Sequence, residues 1–237
     1  MDSIREQIIS AMVTKLADIR TANGYNTDCG ANVKRAYKDF DPDDLPAISV
    51  WPKPDINDDP KYGGRFTVMP VQIELLKAHG DADPSVISEQ MLADVIECIL
   101  GVQWSVAFTF GGTYEIEVGD TITGATSGAT AYVAGVSVSG GSWAGGDAAG
   151  TLTLRRLIGS FGAENLNVGA ETNVATIGAA PTGTSPIAST TGGLAEGIIY
   201  EGGGSNEYPT GEQAHTGVTV PFNVKYRTIA GDPYHQP

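Results

Sequence analysis

GVTVPFNVKYRT, residues 217–228, alternates without a break. Val218, Val220, Phe222, Val224 and Tyr226 occupy one parity, and Thr219, Pro221, Asn223 and Lys225 the other. Period-two alternation places successive side chains on opposite faces of a strand, so this stretch predicts one buried face and one wet face. Pro221 has no backbone N–H to donate, which predicts an edge position or a bulge. A second long strand is expected over Arg65–Ala78, where Phe66 and Val68, then Val71, Ile73 and Leu75, alternate with polar residues. The parity slips near Pro70, so a bulge is expected there.

Working outward, two helices flank these strands. Ser3 followed by Glu6 forms a capping box, and Ile4, Ile8, Met12, Leu16 and Ile19 follow as an apolar row ended by Asn23-Gly24. Asp83 is a natural N-cap with Pro84 at the first helical position. Ile87, Met91, Val95 and Ile99 then form an i, i+4 row, with Glu89, Asp94 and Glu97 facing out and Gly101 ending it. Short strands are expected at Val33–Tyr37 and Pro46–Trp51, with a loop punctuated by Pro52, Pro54 and Pro60, and Ala195–Tyr200 is extended.

The middle of the chain differs. Between Lys77 and Lys225 there is no lysine, and Arg155 and Arg156 are the only arginines. Candidate strands at Val106–Phe110, Tyr114–Val118, Thr130–Val138, Thr151–Leu157, Glu164–Val168 and Asn173–Ile177 are separated by glycine-rich turns, the pattern of a small sandwich or barrel. The predicted fold class is therefore α+β. A mixed β-sheet flanked by two main helices (residues 1–100 plus 191–237) is interrupted by an inserted all-β domain (101–190).

The 237 residues are 41% apolar with a net charge of −14. That describes an ordered globular chain that does not grip nucleic acid by neutralising phosphates. No apolar run reaches membrane-spanning length, and the start MDSIREQ lacks a secretory pattern, so no membrane association is expected. Cys29 and Cys98 fit no metal spacing and are expected as reduced thiols.

Candidate chemistry is sparse. His79, His215 and His235 stand alone. The acidic run KDFDPDD (38–44) fails the calcium-loop pattern: counting from Asp39, positions six and twelve hold Asp44 and Val50. Gly63-Gly64 and Gly202-Gly203-Gly204 lack the Lys-Ser/Thr of a phosphate loop and read as turns. Glu115 and Glu117 share a predicted strand face without a partner across a cleft. Neither a catalytic constellation nor a metal or cofactor site is expected, and the chain reads as a non-enzyme. Trp51 is expected in the core. Trp143, in the turn SGGSWAGG, is expected to be exposed as an anchor on the insert.

The ordered pieces IREQIISAMVTKLADI, GYNTDCGANVKRAY, DDLPAISVWPKPD, PVQIELLKAHG, PSVISEQMLADVIECIL and GGLAEGIIYEGGGSNEYPTGEQAHTGVTVPFNVKYRTIAGDPY resemble tail terminators (tail completion proteins) of long-tailed phages. The resemblance covers roughly 145 of the 237 residues, about 90 being interposed after the second helix. It implies a structural virion protein of the tail or neck, assembled in the host cytoplasm as a homo-hexameric ring. Such a ring caps the tail tube protein, docks the head-completion or neck protein, and lets DNA pass without sequence-specific binding. The acidic excess is expected in part along its lumen. Gly202, Gly203, Gly204, Tyr208 and Tyr234 are the expected subunit or partner interface. The alternative is a virion binding protein whose β-insert recognises a host glycan or a capsid surface.

Overall fold

In the computed structural model, which describes residues 2–58, 65–78, 83–112, 114–208 and 215–237, the two long alternating segments form one antiparallel ribbon. In chain order the elements are α1 (Ile4–Leu16), β1 (Val33–Arg35), β2 (Ala47–Pro52), β3 (Ile56–Asp58), β4 (Arg65–Ala78), α2 (Pro84–Leu100), β5 (Gln103–Gly111), β6 (Thr121–Gly124), β7 (Thr130–Gly140), β8 (Ala148–Ile158), β9 (Glu164–Val168), β10 (Glu171–Ile177), β11 (Thr182–Thr184), α3 (Pro186–Thr191), β12 (Ala195–Tyr200), β13 (Gly204–Tyr208) and β14 (His215–Thr228). His79, Pro60 and the Gly63-Gly64 turn lie outside the described residues, as do the side chains of Tyr208 and His215.

The α+β class expected from sequence is overturned. The described residues are mostly β, 45% strand against 21% helix, with two large sheets and few helices. It divides into two compact units: Met1–Thr21, Tyr25–Leu100 and Pro186–Pro237 form the first, and Gly101–Ser185 with Ala22–Gly24 the second. Residues 186–190, grouped with the insert by composition, lie in α3 of the first unit.

The first unit is a seven-stranded sheet in the order β1-β2-β4-β14-β12, with β3 also on β4 and β13 also on β14. Ile8, Met12 and Leu16 of α1, and Met91, Val95 and Ile99 of α2, join Met69, Val71, Ile73, Leu75, Val218, Val220, Phe222 and Val224 in one core. Burying each such side chain stabilises by roughly 1.5–3 kcal/mol. Register from Arg65↔Thr228 to Ala78↔His215 is continuous, so no bulge occurs at Pro70. The buried parity of β4 runs through Thr67 and Met69, while Phe66 and Val68 lie on the other face; the apparent slip came from apolar residues on that wetter side.

Neither Pro70 nor Pro221 sits on an edge strand. Lys53 N–H donates to the Pro70 carbonyl at 2.8 Å, and Glu201 N–H to the Pro221 carbonyl at 3.0 Å. Each proline nitrogen therefore points at the same outer neighbour as its carbonyl. There the neighbour is changing strands, from β2 to β3 in one case and from β12 to β13 in the other. The lost donor thus falls at a gap in the ladder. Opposite Pro70, the orphaned carbonyl of Lys53 is taken by the Arg5 guanidinium at 2.9 Å.

Other local expectations shift in the same way. α1 ends at Leu16, with Ile19 still fully buried beyond it. The capping box forms only half: Ser3 Oγ accepts from Glu6 N–H at 3.2 Å, while the Glu6 carboxylate turns to Arg35 at 2.8 Å. Asp94 does not face out: it is fully buried, and its carboxylate accepts from the backbone and side chain of Asn26 (2.9 and 2.8 Å) and of Thr27 (2.8 and 2.7 Å). Trp51 lies half-buried off the core parity, with the ammonium groups of Lys38 and Lys53 each 5.4 Å from its ring.

The second unit is a closed barrel. Its strands run β10-β9-β6-β7-β8-β5, and β10 pairs again with β5, with β11 added outside β5. Val106, Phe108, Ile122, Val133, Leu152, Leu154 and Leu166 fill it. Gly150 is required for close approach, since a Cβ there would sit 1.9 Å from the Ser137 carbonyl oxygen on the neighbouring strand. The strand expected at Tyr114–Val118 is absent. Asp120 there takes Glu117 N–H at 2.8 Å and shapes a turn, so Glu115 and Glu117 share no strand face.

Candidate assembly surface

The candidate residues of the first unit bracket one strand, β12. At its C-terminal end, Gly202 takes φ +102°, a conformation only glycine adopts without strain. A Cβ on Gly203 would come 2.9 Å from the Thr219 carbonyl oxygen, so Gly203 lets the chain press onto β14 before β13 begins at Gly204. Tyr208 ends β13, in register with His215.

At the other end of β12, the C-terminal tail folds back. Ile4 N–H donates to the Pro233 carbonyl at 2.9 Å, and Gln236 Nε2 to the Leu194 carbonyl at 2.7 Å. Tyr234 is 45% exposed on this turn. Its N–H donates to Asp232 at 2.9 Å, and His235 Nδ1 lies 2.6 Å from the same carboxylate. The His235 contact, then the Tyr234 N–H, holds the Asp232 carboxyl below its ordinary value. The surface thus consists of an edge strand, the glycine turn after it and a pinned tail before it.

Trp143 is corrected by the barrel's packing. It is 8% exposed and stacks on Phe108 with ring centroids 5.2 Å apart, against Gly111, where a Cβ would meet its ring at 2.5 Å. A glycine-rich turn predicts exposure only when no hydrophobic face lies beneath it, and here Phe108 supplies one. The aromatic that the barrel does expose is Phe110, 78% exposed at φ +54°. It sits in a bulge where two residues of β5 fall between the pairs Phe108↔Gly150 and Gly111↔Ala148. Nothing in the alternation of VAFTF distinguishes it from an inward residue.

Buried polar groups in both units serve packing. Glu164, 7% exposed, accepts from the backbone N–H of Thr126, Ser127 and Gly162 at 2.8, 2.9 and 3.0 Å. Burial raises its carboxyl, but those donors together outweigh it and lower the pKa to about 2. Cys29 and Cys98 are buried and unbridged, and burial pushes the Cys29 thiol up to about 11. Asp44, from the acidic run, pairs with Lys34 at 2.8 Å. Among the described residues no three His, Cys, Asp or Glu side chains converge as a metal site would need, and no helix is long and apolar enough to cross a membrane. The chain matches no known family model and no curated protein.

Proposed function

We propose that the protein is a ring-forming structural subunit of a phage virion, closing the tail tube and offering a docking face to the head-neck proteins. One contrast supports this most. The barrel closes on itself through β10 and β5, with the three-residue β11 left outside, whereas the sheet of the first unit ends, among the described residues, in unpaired edges: β1 beyond β2, β12 and β13 beyond β14, and β3 beyond β4. Unpaired strand edges are templates for association, and a heterologous joint repeated around an axis closes a ring. The order of segments resembling tail terminators supplies the ring's place in the virion, and the net charge of −14 suits a lumen through which DNA slides without adhering. The role is structural, with self, tail tube and neck proteins as partners.

The test is mass in solution by light scattering, with negative-stain imaging of the same peak. A hexameric mass, or rings with a central hole, is expected from the protein alone or on purified tail tubes. A single-chain species under both conditions overturns the reading. A second reading, recognition of a host glycan or a capsid surface by the barrel, is favoured by Phe110, an apolar ring held in solvent on a strained backbone.

A further inference from the structure

Two free edges of the first unit's sheet, β1 and β12, match each other residue by residue. Glu201 N–H donates to the Pro221 carbonyl, which makes Glu201 and, two residues back, Ile199 the β12 positions whose backbone faces β14. The N–H and C=O groups of Ile198 and Tyr200 therefore point away from the sheet. On β1, the Asn32 carbonyl accepts from Ile48 N–H, and Ala36 N–H donates to the Val50 carbonyl. Asn32, Lys34 and Ala36 thus face β2, and Val33 and Arg35 face out. Each edge offers two outward residues at i, i+2 spacing.

Strand directions agree as well. β1 runs parallel to β2, and β2, β4, β14 and β12 alternate. Bringing β12 of one copy beside β1 of the next in a continuous sheet is therefore antiparallel. Matching the outward groups pairs Tyr200 with Val33 and Ile198 with Arg35. That register also matches faces. Val33, Ile198 and Tyr200 pack toward the helix-covered core of their own copies. Ile199, 42% exposed, falls on the opposite face beside Lys34.

Charge completes the match. Lys34 lies on β1 and Lys38 in the loop after it, while Glu196 lies on β12 and Glu201 just past its end. Antiparallel alignment sets Lys34 diagonal to Glu201, within reach of long side chains, and directs the loop that carries Lys38 toward the Glu196 end of β12. Lys34 already holds Asp44 at 2.8 Å in a part-buried pair, while Glu196 holds Arg227 at 2.7 Å and Glu201 accepts from Asn223 at 2.9 Å in exposed ones. β12 has neither lysine nor proline to block pairing, and its only irregularity is confined to Ala195–Gly197.

We infer that successive copies of this chain join head to tail by antiparallel pairing of β12 with β1, in the register Tyr200↔Val33 and Ile198↔Arg35. The inference rests on the ring reading and names its joint. The test uses the full chain in two double variants. Glu196→Lys with Glu201→Lys makes both edges basic, and Lys34→Glu with Lys38→Glu makes both acidic. Each alone is expected to fall to the single-chain mass, while an equimolar mixture recovers the wild-type assembly, which two misfolded proteins could not do. Amide exchange at Val33, Arg35, Ile198 and Tyr200 is expected to slow at least tenfold in the wild-type assembly relative to either variant alone. If wild type forms rings but the variants do so too, the mixture fails to recover, or those amides stay unprotected, the joint lies elsewhere while the ring reading stands. If wild type remains a single chain even on tail tubes, both fail.

Discussion

At the scale of single residues, two buried carboxylates, Asp94 and Glu164, gather backbone N–H groups of turns. Asp94 gathers the Asn26–Thr27 turn with four hydrogen bonds from a helix position that its sequence neighbours made look solvated. Burial pushes its carboxyl above the ordinary value, and the four donors pull it back only in part. The charge itself is therefore costly, and the stabilisation lies in the hydrogen bonds. Asp94→Asn removes the charge but also replaces one acceptor with an N–H₂ aimed at existing donors. Urea unfolding at pH 7 is expected to show a loss of about 1–3 kcal/mol, despite the relief of desolvation. Glu164 behaves in the opposite sense with pH. Its carboxyl falls from 4.5 to about 2 on folding. A lowered acid stabilises fully above the unfolded value, and that contribution drains away as pH falls from 4.5 through 2. Glu164→Gln is expected to destabilise the barrel at pH 7, again by about 1–3 kcal/mol. The gap from wild type should close progressively in melts taken between pH 4.5 and 2; a gap that stays constant over that window would show that the shift is absent.

At the scale of elements, much was legible because period and punctuation agree. β14 and β4 were readable from alternation, and α2 from its apolar row between Asp83 and Gly101, matching the observed Pro84–Leu100. What failed did so for identifiable physical reasons. Pro70 and Pro221 looked like edge or bulge markers because sequence shows a missing donor, not which neighbour would have received it. The overall class was misjudged because short strands such as β3, β6, β11 and β13 carry too few residues to display a period, so the β content was undercounted. The candidate surface was half legible. Gly202–Gly204 announced a turn by composition alone. Which backbone groups of β12 face outward depends on its register with β14, a tertiary fact that local pattern does not carry. Trp143 is buried against its expected exposure and Phe110 stands out in solvent because an underlying ring decides the one and a bulge the other, and neither leaves a mark on residue spacing.

At the scale of the whole molecule, the division into two units has a consequence for folding and for function together. The first unit is split in sequence by Gly101–Ser185, yet its two halves share one sheet and one core. Ile99 near the end of α2 and Thr190 in α3 touch directly, the Thr190 hydroxyl donating to the Ile99 carbonyl at 3.0 Å. The chain therefore leaves the first unit and returns to it at neighbouring points, the geometry that tolerates insertion or removal of a folded module. Closing a short loop between those points costs little entropy, since loop entropy grows only logarithmically with length. Replacing Gly101–Ser185 by a short Gly/Ser linker is thus expected to leave a first unit that unfolds cooperatively in urea, with far-ultraviolet circular dichroism still showing α1 and α2. The edges β1 and β12 lie wholly outside the deleted segment, so the shortened chain is also expected to reach the same number of subunits as wild type by light scattering. If it folds but stays a single chain, the barrel supplies part of the joint and cannot be an accessory. If it assembles and completes tails, yet the resulting particles fail only at adsorption, the barrel is the recognition module and Phe110 the first side chain to replace. Assembly with normal adsorption would leave the barrel as an accessory to a ring that the first unit builds by itself.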